Sequence, residues 1–179
     1  MALTATIHAF DIELADSDRH VYESLALRVA RHPSESAEYL VTRVLAFALE
    51  FTEGIRFSRG LSEPDSPAIE VRDLTGALRA WIDVGLPDAE RLHRAGKAAA
   101  RVAVYTHRDP ALLMDRLAGE RIHRAEALEL YAIDRALVGA LAARLERRMA
   151  FSLSVTGGDL YVTIGPETLV GHVARHDIR

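Results

Sequence analysis

The chain has 179 residues, a net charge of −4 and no cysteine, with 49% hydrophobic and 27% charged residues. That is enough for one domain, or one domain with an appended piece, around a substantial core. The composition excludes thiol catalysis, disulfides and cysteine-based zinc sites, and the charge excludes a generally basic nucleic-acid binder while leaving room for a local basic groove.

The N-terminal segment MALTATIHAFDIELAD has no basic n-region and no continuous apolar run. It therefore does not read as a signal peptide, and no stretch approaches the ~18 apolar residues of a membrane span. A soluble, cytoplasmic protein without membrane association is the expectation. Thr4 to Leu14 alternates as a strand with Thr6, His8, Phe10, Ile12 and Leu14 on one face. After a polar turn at Ala15–Arg19, Val21–Arg31 is compatible with strand or helix; the alternation of Leu25, Leu27 and Val29 favours a strand closing an N-terminal hairpin.

His32-Pro33-Ser34-Glu35 predicts a helix start, with Pro33 in the first helical position and Glu35 near the third. That helix runs to about Phe51, its apolar face made by Leu40, Val41, Val44, Leu45, Phe47, Ala48 and Phe51. A short strand at Ile55–Ser58 and a loop at Arg59–Pro67 come next. Two apolar runs then flank the turn signal Asp73-Leu74-Thr75-Gly76. Pro87-Asp88 opens a helix to about Ala100, Val102–Thr106 is a strand, and Asp109-Pro110 opens a helix to about Leu117. Ala125–Ile133 reads as a strand, Asp134 as the cap of a helix to about Glu146, and Met149–Val155 with Leu160–Ile164 as a hairpin turned by Gly157-Gly158. Thr168–Ile178 adds a last strand. Helices interleaved with a mixed sheet give an α/β or α+β layered domain.

Chemistry concentrates in the middle. If the runs around Asp73–Gly76 pair with Arg72 opposite Ala77, Ser66 falls opposite Asp83 and Asp65 stands one residue away. Two carboxylates at the open end of a hairpin suit a hard divalent cation such as Mg²⁺ or Mn²⁺, which would polarise a phosphodiester and lower the pKa of a bound water. The alternative is a solvated loop residue and a solvated strand end. Arg91, Arg94, Lys97 and Arg101 form one stripe on the following helix, suited to holding phosphates; the alternative is a solvated face with Glu90 and Arg94 as an i,i+4 pair. Glu35 would add a third carboxylate if its helix packs beside the hairpin mouth, or serve only as a cap. Of the eight histidines only His172 and His176 stand four apart, on a tail strand without an evident carboxylate partner; His107 sits past a strand end and could face the site.

The segments Arg31-His32-Pro33-Ser34-Glu35, Phe57-Ser58-Arg59-Gly60-Leu61, Asp73-Leu74-Thr75-Gly76, Trp81-Ile82-Asp83-Val84-Gly85-Leu86-Pro87 and Arg91 to Ala95 resemble the YaeQ family across nearly the whole chain, from Met1-Ala2-Leu3 onward. The resemblance implies a single domain over 1–179 and a variation on the PD-(D/E)XK nuclease fold: an αβββαβ core over about 33–107, with an extra N-terminal hairpin and C-terminal strands. It maps Asp65 and Asp83 to the two metal-ligand positions and Glu35 to the helix carboxylate. One departure stands out: Gly85 occupies the usual lysine position. The cation would then come from the next helix, as Arg94 or Lys97, and an arginine can only bind charge because it does not give up its proton.

The expected function is a metal-dependent nuclease-like protein acting on nucleic-acid phosphodiesters. Asp65, Asp83 and Glu35 would hold Mg²⁺ or Mn²⁺, with Arg94 and Lys97 as catalytic cations and Arg91, Arg94, Lys97 and Arg101 on phosphate. The alternative is a non-catalytic module of the same fold that binds nucleic acid or a protein partner.

Overall fold

The computed structural model describes residues 4–58 and 65–178. The fold is mixed α+β, with ten strands and four α-helices among the described residues. The chain divides into two compact units, Met1–Val41 with Ile133–Val173, and Thr42–Ala132 with Ala174–Arg179. No described helix is long and apolar enough to cross a membrane.

In the first unit, β1 (Thr6–Asp16) and β2 (Val21–Arg31) form the N-terminal hairpin, paired from Thr6 opposite Arg31 to Asp16 opposite Val21. Alternation dictates the faces: His8, Phe10, Ile12 and Leu14 of β1 and Leu25, Leu27 and Val29 of β2 are buried. β8 (Arg148–Thr156) runs parallel to β1, and β9 (Asp159–Ile164) and β10 (Glu167–Asp177) continue the sheet in the order β2-β1-β8-β9-β10. The Asp18 carboxylate accepts from the backbone N–H groups of Gly157 and Gly158 at 2.7 and 3.0 Å, tying the β1–β2 turn to the β8–β9 turn. Helix α4 (Arg135–Ala143) buries Leu137, Val138 and Leu141. Asp134 stands at its N-cap without a side-chain capping bond, and the helix ends before the expected Glu146. His172, expected to lack a carboxylate partner, lies 2.9 Å from Asp159 across the β9–β10 pair.

Helix α1 (Ala37–Leu49) starts later than the signals at Pro33 and Glu35 predict. Ser36 is the cap, its hydroxyl accepting from the Tyr39 N–H at 3.0 Å. Glu35 instead closes a turn in the first unit, its N–H donating to the His32 carbonyl at 2.9 Å and its Oε1 accepting from the His32 N–H at 3.2 Å. Leu40, Val41, Val44, Leu45, Phe47 and Ala48 are buried as the apolar pattern requires.

The second unit holds β3 (Ile55–Phe57), β4 (Ile69–Arg72), β5 (Leu78–Val84), α2 (Ala89–Ala98), β6 (Arg101–Thr106), α3 (Pro110–Leu117) and β7 (Glu129–Ile133), with strand order β7-β6-β5-β4-β3. β3, β4 and β5 are antiparallel; β5, β6 and β7 are parallel. The predicted succession helix, strand, strand, strand, helix, strand is therefore present. Of the loop expected over Arg59–Pro67, residues 59–64 lie outside the described residues. The expected strand Ala125–Ile133 begins instead with a 3-10 turn at Ala125–Ala127, entered through Arg124 at φ +51°. Trp81, Leu92, Ala95, Val102, Val104, Leu113, Leu117 and Leu130 form the core beneath α2.

The β4–β5 turn departs from the two-strand count. A three-residue loop, Leu74–Gly76, is closed by Asp73 N–H to the Ala77 carbonyl (3.1 Å) and Gly76 N–H to the Asp73 carbonyl (2.9 Å), with Gly76 at φ +85°. A bulge between Val71 and Arg72 adds a further step, so that Arg72 faces Leu78, Val71 faces Ala80 and Ile69 faces Ile82. The Asp73 carboxyl is held at about 2, first by the Thr75 hydroxyl, then against burial, which raises it, by the Ala77 N–H, Arg79 and the Thr75 N–H. Carbon-13 NMR should show this carboxyl still ionised at pH 3. Its contribution to stability is complete above the unfolded value of 3.8 and is lost as pH falls through about 2.

Candidate functional site at the mouth of the hairpin

The bulge decides what Asp83 meets. Counting on from Ile69 opposite Ile82 brings Ala68, not Ser66, to Asp83, and the Ala68 N–H points at Asp83 Oδ1 from 3.4 Å. This two-residue slip preserves the face of every side chain but carries Asp65 further from the pairing position than the simple count allows.

Asp83 is 2% exposed. Helix α2 supplies its partner because Asp88 caps the helix, accepting from the Arg91 N–H at 2.8 Å, and so fixes where the first turn points. Arg91 Nε donates to Asp83 Oδ2 at 2.7 Å and Nη2 to Oδ1 at 2.9 Å, a bidentate fork. Nη2 also donates to the Ser66 carbonyl at 2.7 Å, and the guanidinium carbon stands 5.4 Å from the Trp81 ring centre. One turn along, Arg94 donates to Asp65 at 2.8 Å in the open, Asp65 being 82% exposed. The two carboxylates are thus brought to one end of the hairpin, each matched to an arginine.

The remaining candidates separate. Arg101 donates to both oxygens of Glu50 (2.6 and 2.9 Å) and both of Glu129 (2.6 and 3.1 Å). Tyr105 donates to Glu50 and Tyr131 to Glu129, each at 2.6 Å, and the two rings stack with centroids 4.8 Å apart. The Arg101 pKa is pushed up, first by its hydrogen bonds to Glu50. Lys97 is exposed on α2. Glu35 belongs to the first unit, so the geometry described here is that of Asp65, Asp83 and α2 alone. His107 Nδ1 lies 3.2 Å from the Thr42 hydroxyl.

These residues as placed do not fit a divalent cation. Arg91 takes both Asp83 oxygens, Arg94 takes Asp65, and among the described residues no group of three His, Asp or Glu is arranged to hold a metal ion. Gly85 has its own explanation: it sits at φ +92° with its N–H donating to the Tyr105 carbonyl at 2.9 Å, a conformation that side chains rarely adopt. Gly85→Lys should lower stability by about 1–2 kcal/mol, measured as a drop in urea midpoint, without creating cleavage activity.

Sequence reasoning missed the Arg91–Asp83 pair by assigning Arg91 to phosphate. The signal was present: an arginine in the first turn of the helix that directly follows the acidic strand end. A model of the YaeQ protein family matches residues 1–172. The chain belongs to the YaeQ family. It is 39% identical over 111 residues to "Uncharacterized protein YaeQ" of Escherichia coli (strain K12), an alignment covering 62% of this chain and 61% of that relative, and the same figures hold for the Shigella flexneri protein. The aligned part is therefore less than two thirds of these relatives' length. The crystal structure of the YaeQ protein from Xanthomonas axonopodis pv. citri matches with TM-score 0.88 and 30% identity over 98% of this chain and 100% of that one. The YaeQ protein of Pseudomonas syringae matches with TM-score 0.85 and 27% identity over 96% and 95%.

Proposed function

We propose that this family member is a non-catalytic module on a PD-(D/E)XK-like core, binding the nucleic-acid backbone without cutting it. The order α1, β3, β4, β5, α2, β6 supports the core assignment. The observation that carries the non-catalytic reading is the Asp83–Arg91 fork. A carboxylate only 2% exposed with both oxygens on a guanidinium is a structural ion pair and offers little surface to an outside ligand.

Calorimetry with Mg²⁺ and Mn²⁺ is expected to show no binding, while single- or double-stranded oligonucleotides bind with an affinity that falls steeply with salt. Oligonucleotide affinity that is absent at all salt concentrations would point to a protein partner instead. A second reading, metal-dependent phosphodiester cleavage with Asp65 and Asp83 as ligands and Glu35, Arg94 and Lys97 assisting, draws support from Asp65: its ion pair is in solvent and holds it only weakly. Cleavage of DNA or RNA that requires Mg²⁺ or Mn²⁺ and disappears in Asp83→Ala would select that reading.

A further inference from the structure

Arg91 and Arg94 on α2 are engaged by carboxylates, but Lys97 on the same helix and Arg121 beyond α3 make no ion pair among the described residues. A cleft beside α2 is lined by Ala89, Glu90, His93, Lys97, Glu120 and Arg121. Its far wall, the segment after α3, is locked onto the helix. Arg124 Nη2 donates to the carbonyls of Gly96, Ala99 and Ala100 at 3.3, 2.8 and 3.1 Å, satisfying the end of α2. Gly96 lets that segment approach: a Cβ there would stand 2.5 Å from the His123 carbonyl oxygen. The His123 N–H donates to His93 Nδ1 at 3.0 Å.

That last bond fixes the chemistry of His93. With Nδ1 accepting, the neutral ring carries its proton on Nε2, which is a donor. Among the described residues, no partner engages this Nε2–H, the Lys97 ammonium or the Arg121 guanidinium. We propose that this cleft binds a terminal phosphate group, with Lys97 and Arg121 neutralising its charge and His93 Nε2–H donating to a third oxygen.

A tetrahedral dianion matches two separate cations and a ring donor better than a planar carboxylate, which is satisfied by one bidentate partner. Glu90 and Glu120 also line the cleft. His93 is pushed down, by burial first and then by Lys97, Arg121 and His123. None of Asp65, Asp83, Arg91 or Arg94 lines the cleft, and of the residues in the cleavage reading it shares only Lys97.

The test is proton NMR of the His93 ring during titration with inorganic phosphate, against sodium chloride at matched ionic strength and against acetate. A saturable upward shift of the His93 pKa with phosphate only is expected, because a bound anion favours the imidazolium. Lys97→Gln and Arg121→Gln should each weaken phosphate about tenfold, the effect of losing one charge-assisted contact. Both side chains are exposed and neither makes a hydrogen bond or ion pair among the described residues, so both variants should melt as the wild type does. Equal shifts with chloride or acetate, or unchanged phosphate affinity in both variants, would overturn the proposal. Ribose 5-phosphate and a 5′-phosphorylated dinucleotide then distinguish a small phosphomonoester from a nucleic-acid end. Phosphate binding lost in the variants while longer oligonucleotides still bind supports the cleft and places backbone contact elsewhere.

Discussion

Arg91→Ala is expected to destabilise the protein by about 3–5 kcal/mol, the cost of leaving a buried charge without its partner. Asp83, 2% exposed, would keep only the long bond from Ala68 at 3.4 Å. Asp83→Ala should cost less, roughly 1–3 kcal/mol, because Arg91 is 24% exposed on its side chain and retains the Ser66 carbonyl and the Trp81 face. Replacing both together, Asp83→Leu with Arg91→Met, should return stability close to that of wild type, as apolar substitution of a whole buried pair often does. Urea midpoints on the wild type, the two alanine variants and their combination, Asp83→Ala with Arg91→Ala, form a double-mutant cycle. Additive losses would mean that the two side chains do not act as a unit, and a strongly stable Asp83→Ala would return Asp83 to the list of candidate ligands. For a protein with a total stability near the low end of the usual range, about 5 kcal/mol, the Arg91 loss alone is large enough to leave a measurable unfolded fraction at neutral pH.

Arg101→Ala is the second large effect, about 3 kcal/mol at neutral pH, the low end for a broken pair because Arg101 is 36% exposed. Removing it leaves Glu50 and Glu129, 10% and 14% exposed, without the cation that they share. The sign with pH is informative. Burial pushes Glu129 up, but hydrogen bonds from Arg101 and Tyr131 and the charges of Arg101 and Arg175 outweigh it, so its pKa lies below 4.5. A depressed carboxylate contributes stability above its unfolded value and loses it as pH falls through its folded value. The wild type should therefore weaken below about pH 4.5 more steeply than Arg101→Ala, and the gap between them should narrow as the solution becomes more acidic. Salt-dependent nucleic-acid affinity should be unchanged in this variant. A loss there without a loss of stability would put Arg101 on phosphate.

The legible parts of this fold are those that one local pattern decides. Alternation identified β1 and its buried face and favoured a strand over a helix for β2. Asp88 and Asp109 announced α2 and α3 correctly, their carboxylates accepting from Arg91 and Ala111. The start of α1 was misread because Pro33 and Glu35 offer the same signals as Ser36, and competition between adjacent caps is settled by the turn that His32 closes. The alternation of Leu128, Leu130 and Ala132 was extended back over a 3-10 turn that begins with a left-handed arginine. The bulge at Val71 left no compositional mark, yet it changed which backbone faces Asp83. For the site, residue types and approximate location were readable, but the direction of each guanidinium was not. Arg91, Arg94 and Arg101 share one stripe of sequence; their carboxylates sit on β5, on the loop before β4, just past the end of α1 and on β7, and only the assembled fold sets those distances.

The first unit is made from the two ends of the sequence, while most of the second is the uninterrupted stretch Thr42–Ala132. On a ribosome, these two halves become available at different times. The central stretch can begin to pack as soon as β7 emerges. The β1–β2 hairpin, made first, must wait for β8, and the tie from Asp18 to Gly157 spans 139 residues. At about 5–20 residues per second, that gap lasts roughly 7–30 s. Throughout it, the edge of β1 that belongs to β8 is an open template for any passing strand. Newborn chains of this protein should therefore engage nascent-chain chaperones between completion of β2 and emergence of β8, and ribosome profiling of chaperone-bound chains would show occupancy falling once residue Thr156 clears the exit tunnel.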